Sequence, residues 1–135
     1  MQPSKVLVID DSKLIHKMFT VLLPKSELVH AMDGREALQR LAEHPDVQLI
    51  FLDINMPNMN GLEFLGQVKA DAALSQIPVI IVSTEGKEQD TIRGLQAGAA
   101  AYVKKPFRND TILDLVRRVL GQGNVGAPSA EGMAR

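Results

Sequence analysis

The sequence predicts an α/β fold of the doubly wound kind, and three observations carry that prediction. Apolar runs at Val6-Leu7-Val8-Ile9, Leu49-Ile50-Phe51-Leu52, Val79-Ile80-Ile81-Val82 and Ala101-Tyr102-Val103 are short, mostly aliphatic and without alternation, the pattern of strands buried on both faces of a parallel sheet. Stretches of helical period lie between them, so the order is strand then helix, repeated, and the right-handed crossover rule leaves few arrangements. Each run ends on a short polar group: Asp10-Asp11, Asp53, Ser83-Thr84 and Lys105-Pro106. Ligands of such sheets bind outside the carboxyl ends of the strands, so these groups are expected to form one site from distant segments.

After the first strand, Leu14, Ile15, Met18, Phe19 and Leu22 recur at helical spacing, and Pro24 marks the end of that helix. Residues 27–31 are a short, weaker strand. Asp33-Gly34-Arg35-Glu36 has the spacing of a capping box, with Ala37, Leu38, Leu41 and Ala42 as the buried face behind it and Pro45 closing the second helix. Asn60 with Glu63 is positioned to cap a third helix carrying Leu62, Leu65 and Val68, and Pro78 opens the fourth strand. The fourth helix, near residues 87–97, is the weakest: its core face is Ile92 and Leu95, and Gly94 costs about 1 kcal/mol relative to Ala. A poorly anchored helix is a candidate moving part. The fifth, near residues 109–120, carries Ile112, Leu113, Val116, Val119 and Leu120 on one arc, with Leu115 widening it beyond what packing on a sheet requires. The division expected is one domain over residues 1–120 and a flexible tail or linker over 121–135, where Gly, Pro and Ser accumulate.

The 135 residues suffice for one domain and one core, and 45% apolar with 23% charged is an ordinary globular composition. A formal net charge of -1 gives no electrostatic footprint for nucleic acid or an anionic membrane. The absence of cysteine excludes disulfides, thiolate zinc sites and thiol catalysis, and fits a cytoplasmic protein. No apolar run approaches the roughly 20 residues that span a bilayer, so neither a membrane span nor a signal peptide is expected. The histidines His16, His30 and His44 are scattered on different elements, have no metal-ligand spacing and are expected on the surface or half-buried.

Three carboxylates, a hydroxyl and an ammonium converge if the strands align as above. Three anions so close repel unless a cation offsets them, and oxygen-ligated Mg2+ is the natural candidate. Taken alone, Asp10 and Asp11 could equally begin a helix, where their charge suits the dipole.

The acidic pair Asp10-Asp11 followed by Ser12, the segment Asp53-Ile54-Asn55-Met56-Pro57-Asn58-Met59-Asn60-Gly61, the Ser83 hydroxyl and Lys105-Pro106-Phe107 together resemble the receiver domain of two-component response regulators, close to the CheY-like single-domain type. The match covers residues 5 to 120. The resemblance implies a flavodoxin-like (βα)5 fold, a five-stranded parallel sheet in the order 2-1-3-4-5 with helices on both faces. It also implies that Asp53 accepts a phosphoryl group from a sensor histidine kinase or phosphotransfer protein, as carboxylates of aspartyl-phosphate enzymes do.

By the same resemblance Asp11 is a direct Mg2+ ligand and Asp10 acts largely through water, Asp53 also contributes, and the backbone carbonyl of Asn55 completes the protein's share. Lys105 pairs with the phosphoryl oxygens as a point charge, after a Lys105-Pro106 bond that is cis in the family; an ordinary trans turn is the alternative. Strand alternation sends Lys104 to the opposite face, into solvent. Ser83 donates its hydroxyl to the phosphoryl group, the local alternative being a bond to backbone. Asn55 and Thr84 flank the attack path and tune phosphate loss; Thr84 stands where alanine is common. Glu85 and Gly86 belong to the loop that shifts with Ser83. Tyr102 resembles an aromatic switch, against the alternative of a Tyr packed on the sheet with its hydroxyl in water.

Function then follows as signal transduction: a phosphoprotein, not an enzyme, that assists its own phosphorylation and hydrolysis. It would switch a downstream effector protein at the face of the fourth helix, fifth strand and fifth helix, including Tyr102, Arg93 and Leu115, in chemotaxis, motility or another relay. No nucleic acid or membrane is expected as partner of this domain, and a monomer or weak dimer is expected. An electron carrier of similar fold would need a Ser/Thr/Gly-rich loop where this chain has Asp-Asp-Ser-Lys, and an aspartate-nucleophile phosphatase would place its nucleophile on the first strand. The remaining alternative is a receiver-like scaffold that docks a partner without being phosphorylated.

Overall fold

Three of the five strands are runs of large apolar side chains that only a sheet covered on both faces can bury, and the chain solves this by placing helices on both sides. The structure, a computed structural model, describes residues 3–54, 56, 60–84 and 86–121. Its elements are β1 (Lys5–Ile9), α1 (Lys13–Leu22), β2 (Glu27–Ala31), α2 (Gly34–Glu43), β3 (Leu49–Asp53), α3 (Gly61–Ala70), β4 (Val79–Ser83), α4 (Glu88–Gln96), β5 (Ala101–Lys104) and α5 (Asn109–Gly121). All pairings are parallel and the order is β2-β1-β3-β4-β5, the doubly wound flavodoxin-like arrangement expected. Residues 122–135, where the tail was expected, lie outside the described residues. No helix among the described residues is long and apolar enough to cross a membrane.

Alternation divides each strand between two cores. Val6, Val8, Leu49, Phe51, Ile80, Val82, Ala101 and Val103 face α1 and α5, meeting Phe19, Ile112, Leu115 and Val116. Leu7, Ile9, Ile50, Leu52, Val79 and Ile81 face α2, α3 and α4, meeting Leu41, Phe64, Leu65 and Val68. Phe19 anchors the first side, its ring 4.4 Å from Phe51 and 5.5 Å from Phe107.

The helix starts follow the side chains expected to cap them. Ser12 accepts from Ile15 N, Asp33 Oδ1 from Glu36 N at 2.9 Å, and Asn60 Oδ1 from Glu63 N at 2.9 Å. Glu36 reaches back to Met32 N at 2.6 Å, one residue before the cap itself. Only α4, of the helices whose caps are described, begins without a side-chain cap, at Lys87.

Several core assignments differ from those the periodicity suggested. On α1 the buried residues are Ile15, His16, Phe19 and Leu22, while Leu14 is 66% exposed. Ile15, Phe19 and Leu22 stand at i, i+4 and i+7, and that arc excludes Leu14. Ala42 of α2 is exposed. On α4 the sheet side is Thr91 and Gly94 with Leu95 half-buried, and Ile92 is 53% exposed. This helix packs through its smallest side chains: a Cβ on Gly94 would lie 2.2 Å from Ile81 Cδ1. On α5 Leu115 is buried and Leu113 is exposed, so Leu115 belongs to the core and drops out of the expected output face.

Candidate metal centre

Parallel strands of similar length and register deliver their last residues to one edge, and that edge carries the polar groups. Asp10 follows β1, Asp53 ends β3, Ser83 ends β4 and Lys105 follows β5. The register places Leu52 beside Ile9, Asp53 beside Val82 and Ser83 beside Lys104. One carboxylate oxygen from each of Asp10, Asp11 and Asp53 lies within 4.8 Å of the others. Asp10 and Asp53 are buried and Asp11 is exposed.

Lys105 reaches this group from the end of β5, the edge strand of the sheet. Its Nζ lies 2.8 Å from Asp10 Oδ2 and 3.7 Å from Asp53 Oδ2, and its own N-H donates to Ser83 O at 2.7 Å. The Lys105-Pro106 peptide is cis. Lys104 points away, exposed as alternation requires, and pairs with Glu88 Oε2 at 3.4 Å across the surface. An exposed pair of this kind contributes little stability.

All but one of the polar atoms of Asp10 are constrained by hydrogen bonds. Its N-H donates to Ala31 O at 3.1 Å, its Oδ1 accepts from Ser12 N at 2.9 Å, and its carbonyl faces His16 Nε2 at 2.8 Å. Oδ2 is the exception: it is buried without a hydrogen bond, and its contact with Lys105 is ionic and not directed. The Asp10 and Asp53 carboxylates alone repel by on the order of 3 kcal/mol at an effective dielectric near 20, and among the described residues a single ammonium, that of Lys105, stands against three carboxylates. Hard oxygen donors, excess negative charge and a buried oxygen lacking a directed partner suit a divalent cation such as Mg2+.

Gly61 closes the loop after Asp53. Its N-H donates to Ile54 O at 3.2 Å, and a Cβ there would lie 2.7 Å from Ile54 Cα and 2.8 Å from Asp53 O. Only glycine permits that backbone approach. Ser83 is buried, Thr84 is exposed, and Tyr102 is half-buried against the core facing α2, α3 and α4. Asn55 and Glu85 lie outside the described residues.

His16 is more deeply buried than the surface or half-buried position expected of it. It is buried on α1, and its Nδ1 lies 2.7 Å from His30 Nδ1 on β2. His30, surface-exposed as a residue, has its pKa held below the ordinary imidazole value by desolvation and then by the neighbouring His16. The sequence contains a signal for His16, since it stands beside Ile15 and three residues before Phe19, on the buried arc; its polar character hid it among the apolar residues counted.

With fold and geometry in place, the chain belongs to the response regulator receiver domain family, whose model matches residues 6–117, and so to the proteins of phosphorelay signalling. It is 35% identical over 130 residues to a chemotaxis protein CheY homolog of Campylobacter jejuni, covering 94% of this chain and 99% of that one. It is 33% identical to chemotaxis protein CheY1 of Helicobacter pylori over 87% of this chain and 97% of the relative. Among solved structures, chemotaxis protein CheY4 of Vibrio cholerae superposes with a TM-score of 0.79 at 34% identity, covering 87% of this chain and 98% of the other.

Proposed function

We propose that this chain accepts a phosphoryl group on Asp53 from a sensor histidine kinase or phosphotransfer protein in a Mg2+-dependent reaction, and thereby switches a downstream effector protein at the face of α4, β5 and α5. The observation that carries this reading is the Lys105 ammonium held between Asp10 and Asp53 at the carboxyl edge of the sheet. A carboxylate at Asp53 has the nucleophile's oxygen; Lys105 has the charge that a transferring phosphoryl group needs beside it.

An Asp53 oxygen attacks phosphorus in line while the P-N bond to the donor imidazole breaks, its electron pair stays on nitrogen, and the imidazole takes up a proton. Asp10, Asp11 and Asp53, with the carbonyl of Asn55, would hold Mg2+, which when bound neutralises charge on the phosphoryl oxygens. Lys105 pairs with one of those oxygens and Ser83 donates its hydroxyl to another. Little covalent chemistry is asked of the protein beyond the attacking carboxylate, since catalysis is positioning and charge stabilisation. Asn55 and Thr84 flank the path by which water later removes the phosphate, so the domain assists its own dephosphorylation.

Modification adds roughly -1.5 to -2 charges, if phosphoserine is a guide, and new bonds to Lys105 and Ser83. A complete switch between 1:99 and 99:1 needs these bonds to differ between the two states by about 5.5 kcal/mol, within reach of a few buried charged hydrogen bonds. The uncapped α4 and the half-buried Tyr102 are the elements with room to respond. The names of the relatives favour chemotaxis or motility as the output, with the unit at residues 1–120 acting in the cytoplasm as a monomer or weak dimer, on proteins and not on nucleic acid or membrane.

Intact mass after incubation with Mg2+ and a small acyl phosphate tests the reading. Wild type is expected to gain one phosphoryl group and Asp53→Asn none. No gain in wild type under any Mg2+ concentration, with beryllofluoride also failing to bind, would leave a docking scaffold in its place.

A further inference from the structure

Phosphoryl transfer at Asp53 calls on Asp10, Asp11, Ser83 and Lys105, and a buried histidine that touches the site has no part in it. His16 Nε2 lies 2.8 Å from the Asp10 carbonyl. A carbonyl oxygen only accepts, so Nε2 carries the hydrogen and, in the neutral ring, Nδ1 carries a lone pair. His30 Nδ1, 2.7 Å away, must then donate. The two rings meet edge on, with centroids 4.7 Å apart and planes at 64°, so one imidazole orients the other.

The Asp10 carbonyl has particular need of this donor. The β1–β2 ladder ends at Ile9 with Ala31, with the Asp10 N-H turned to that side to reach Ala31 O, and Asp10 is 1% exposed, leaving its carbonyl beyond the last sheet pairing and away from water. A buried carbonyl in that position needs a partner. The α1 helix supplies one from its first turn, and β2 aims it, because His30 pairs in register with Val8 and so projects to the α1 side of the sheet.

We propose that His16 is a positioning residue for the acidic site. Through Nε2-H it fixes the main chain that presents Asp10 and Asp11 to a divalent cation, and His30 fixes the ring that does so. The inference rests on the proposed function for its cation, not for its geometry. The arrangement resembles the outer contacts that orient metal ligands, whose loss commonly weakens metal binding 10–100-fold; acting through the main chain, His16 belongs at the lower end, about tenfold.

The test is Mg2+ affinity by isothermal titration calorimetry on wild type, His16→Met, His16→Gln and His30→Leu, with phosphoryl uptake from a small acyl phosphate measured alongside. Met fills the space without a donor and is expected to weaken Mg2+ about tenfold, while Gln, whose Nε2 donates at similar reach, restores most of it. At saturating Mg2+ the rate of uptake by the Met variant is expected to return to near the wild-type rate, separating positioning of the metal ligands from the transfer step. Equal affinity in wild type and Met, or equal impairment in Met and Gln, overturns the proposal. Should the Met variant lose its fold by circular dichroism, His30→Leu at an exposed strand position carries the test. Weakened Mg2+ binding there supports the relay, and unchanged binding overturns it. Wild type that binds Mg2+ and takes up phosphate while every histidine variant matches it would defeat this inference and leave the proposed function standing; wild type that does neither defeats both.

Discussion

At residue 61 the site depends on the absence of a methyl group. The atoms a Cβ would strike are Ile54 Cα and Asp53 O, both main chain, so no side-chain rotation relieves the clash. Gly61→Ala is therefore expected to cost about 1–3 kcal/mol in urea unfolding, despite the gain in helix propensity at the start of α3. A loss below about 0.5 kcal/mol would show that the loop yields. His30 gives a second prediction, in pH. Its folded pKa lies below the ordinary value because burial disfavours the charged ring and His16 faces it, while Arg40 Nε donates to its main-chain oxygen. The unfolded chain then binds more protons, so the stability this group contributes is present above its unfolded pKa of about 6.5 and is lost as pH falls through the lower folded value. Thermal unfolding midpoints measured from pH 7 to pH 5 are expected to fall more steeply for wild type than for His30→Leu; parallel profiles would refute the assignment.

Among the elements, α4 shows where sequence reading succeeds and where it stops. Its weakness was legible, since a helix with Gly94 and few apolar residues announces poor anchoring, and the missing side-chain cap at Lys87 adds to it. Its buried face was not, because hydrophobicity points to Ile92 while the helix turns Thr91 and Gly94 to the sheet. The reason is distance: contact with Ile81 is so close that only a small residue fits, and a periodicity that counts large apolar side chains cannot register a face made of small ones. Leu113 and Leu115 on α5 are exchanged for a related reason, since Leu, Val and Ile surround most of the helix and only the sheet decides which arc is covered. The strands were plain, and Asp53 and Lys105 at their ends resolved what Asp10 and Asp11 alone left open, so the fold and the Asp10, Asp11, Asp53 and Lys105 cluster could be anticipated, whereas His16, a polar residue on a buried arc, was passed over. Gly94→Ala gains about 1 kcal/mol of helix propensity and loses about 1–3 kcal/mol to overpacking, so a net loss near 1 kcal/mol is expected in denaturant unfolding. Because the colliding atom is Ile81 Cδ1, adding Ile81→Val removes it, and the double variant is expected to be more stable than the sum of the single changes predicts. Strict additivity would mean that α4 shifts as a body instead.

For the molecule as a whole, the cost of the site and its use are the same interaction. Folding brings three carboxylates within 4.8 Å of one another, with Lys105 in contact with two of them, so the metal-free fold carries repulsion that a bound divalent cation relieves. Mg2+ should then stabilise the folded chain, by about 1.4 kcal/mol at ten times its dissociation constant, and chelation should reverse this. The carboxylates differ in what their removal does. Asp53 is buried, so Asp53→Asn relieves repulsion in the low-dielectric part of the site and is expected to raise the metal-free unfolding midpoint while flattening the response to Mg2+. Asp11 is exposed and its repulsion is screened by water, so Asp11→Asn should leave the metal-free midpoint close to wild type yet lose most of the Mg2+ response. Thermal unfolding of the three proteins across a Mg2+ series distinguishes these outcomes. A wild-type midpoint indifferent to Mg2+ would mean that Lys105 already satisfies the cluster and that the carboxylates meet for a reason other than a metal.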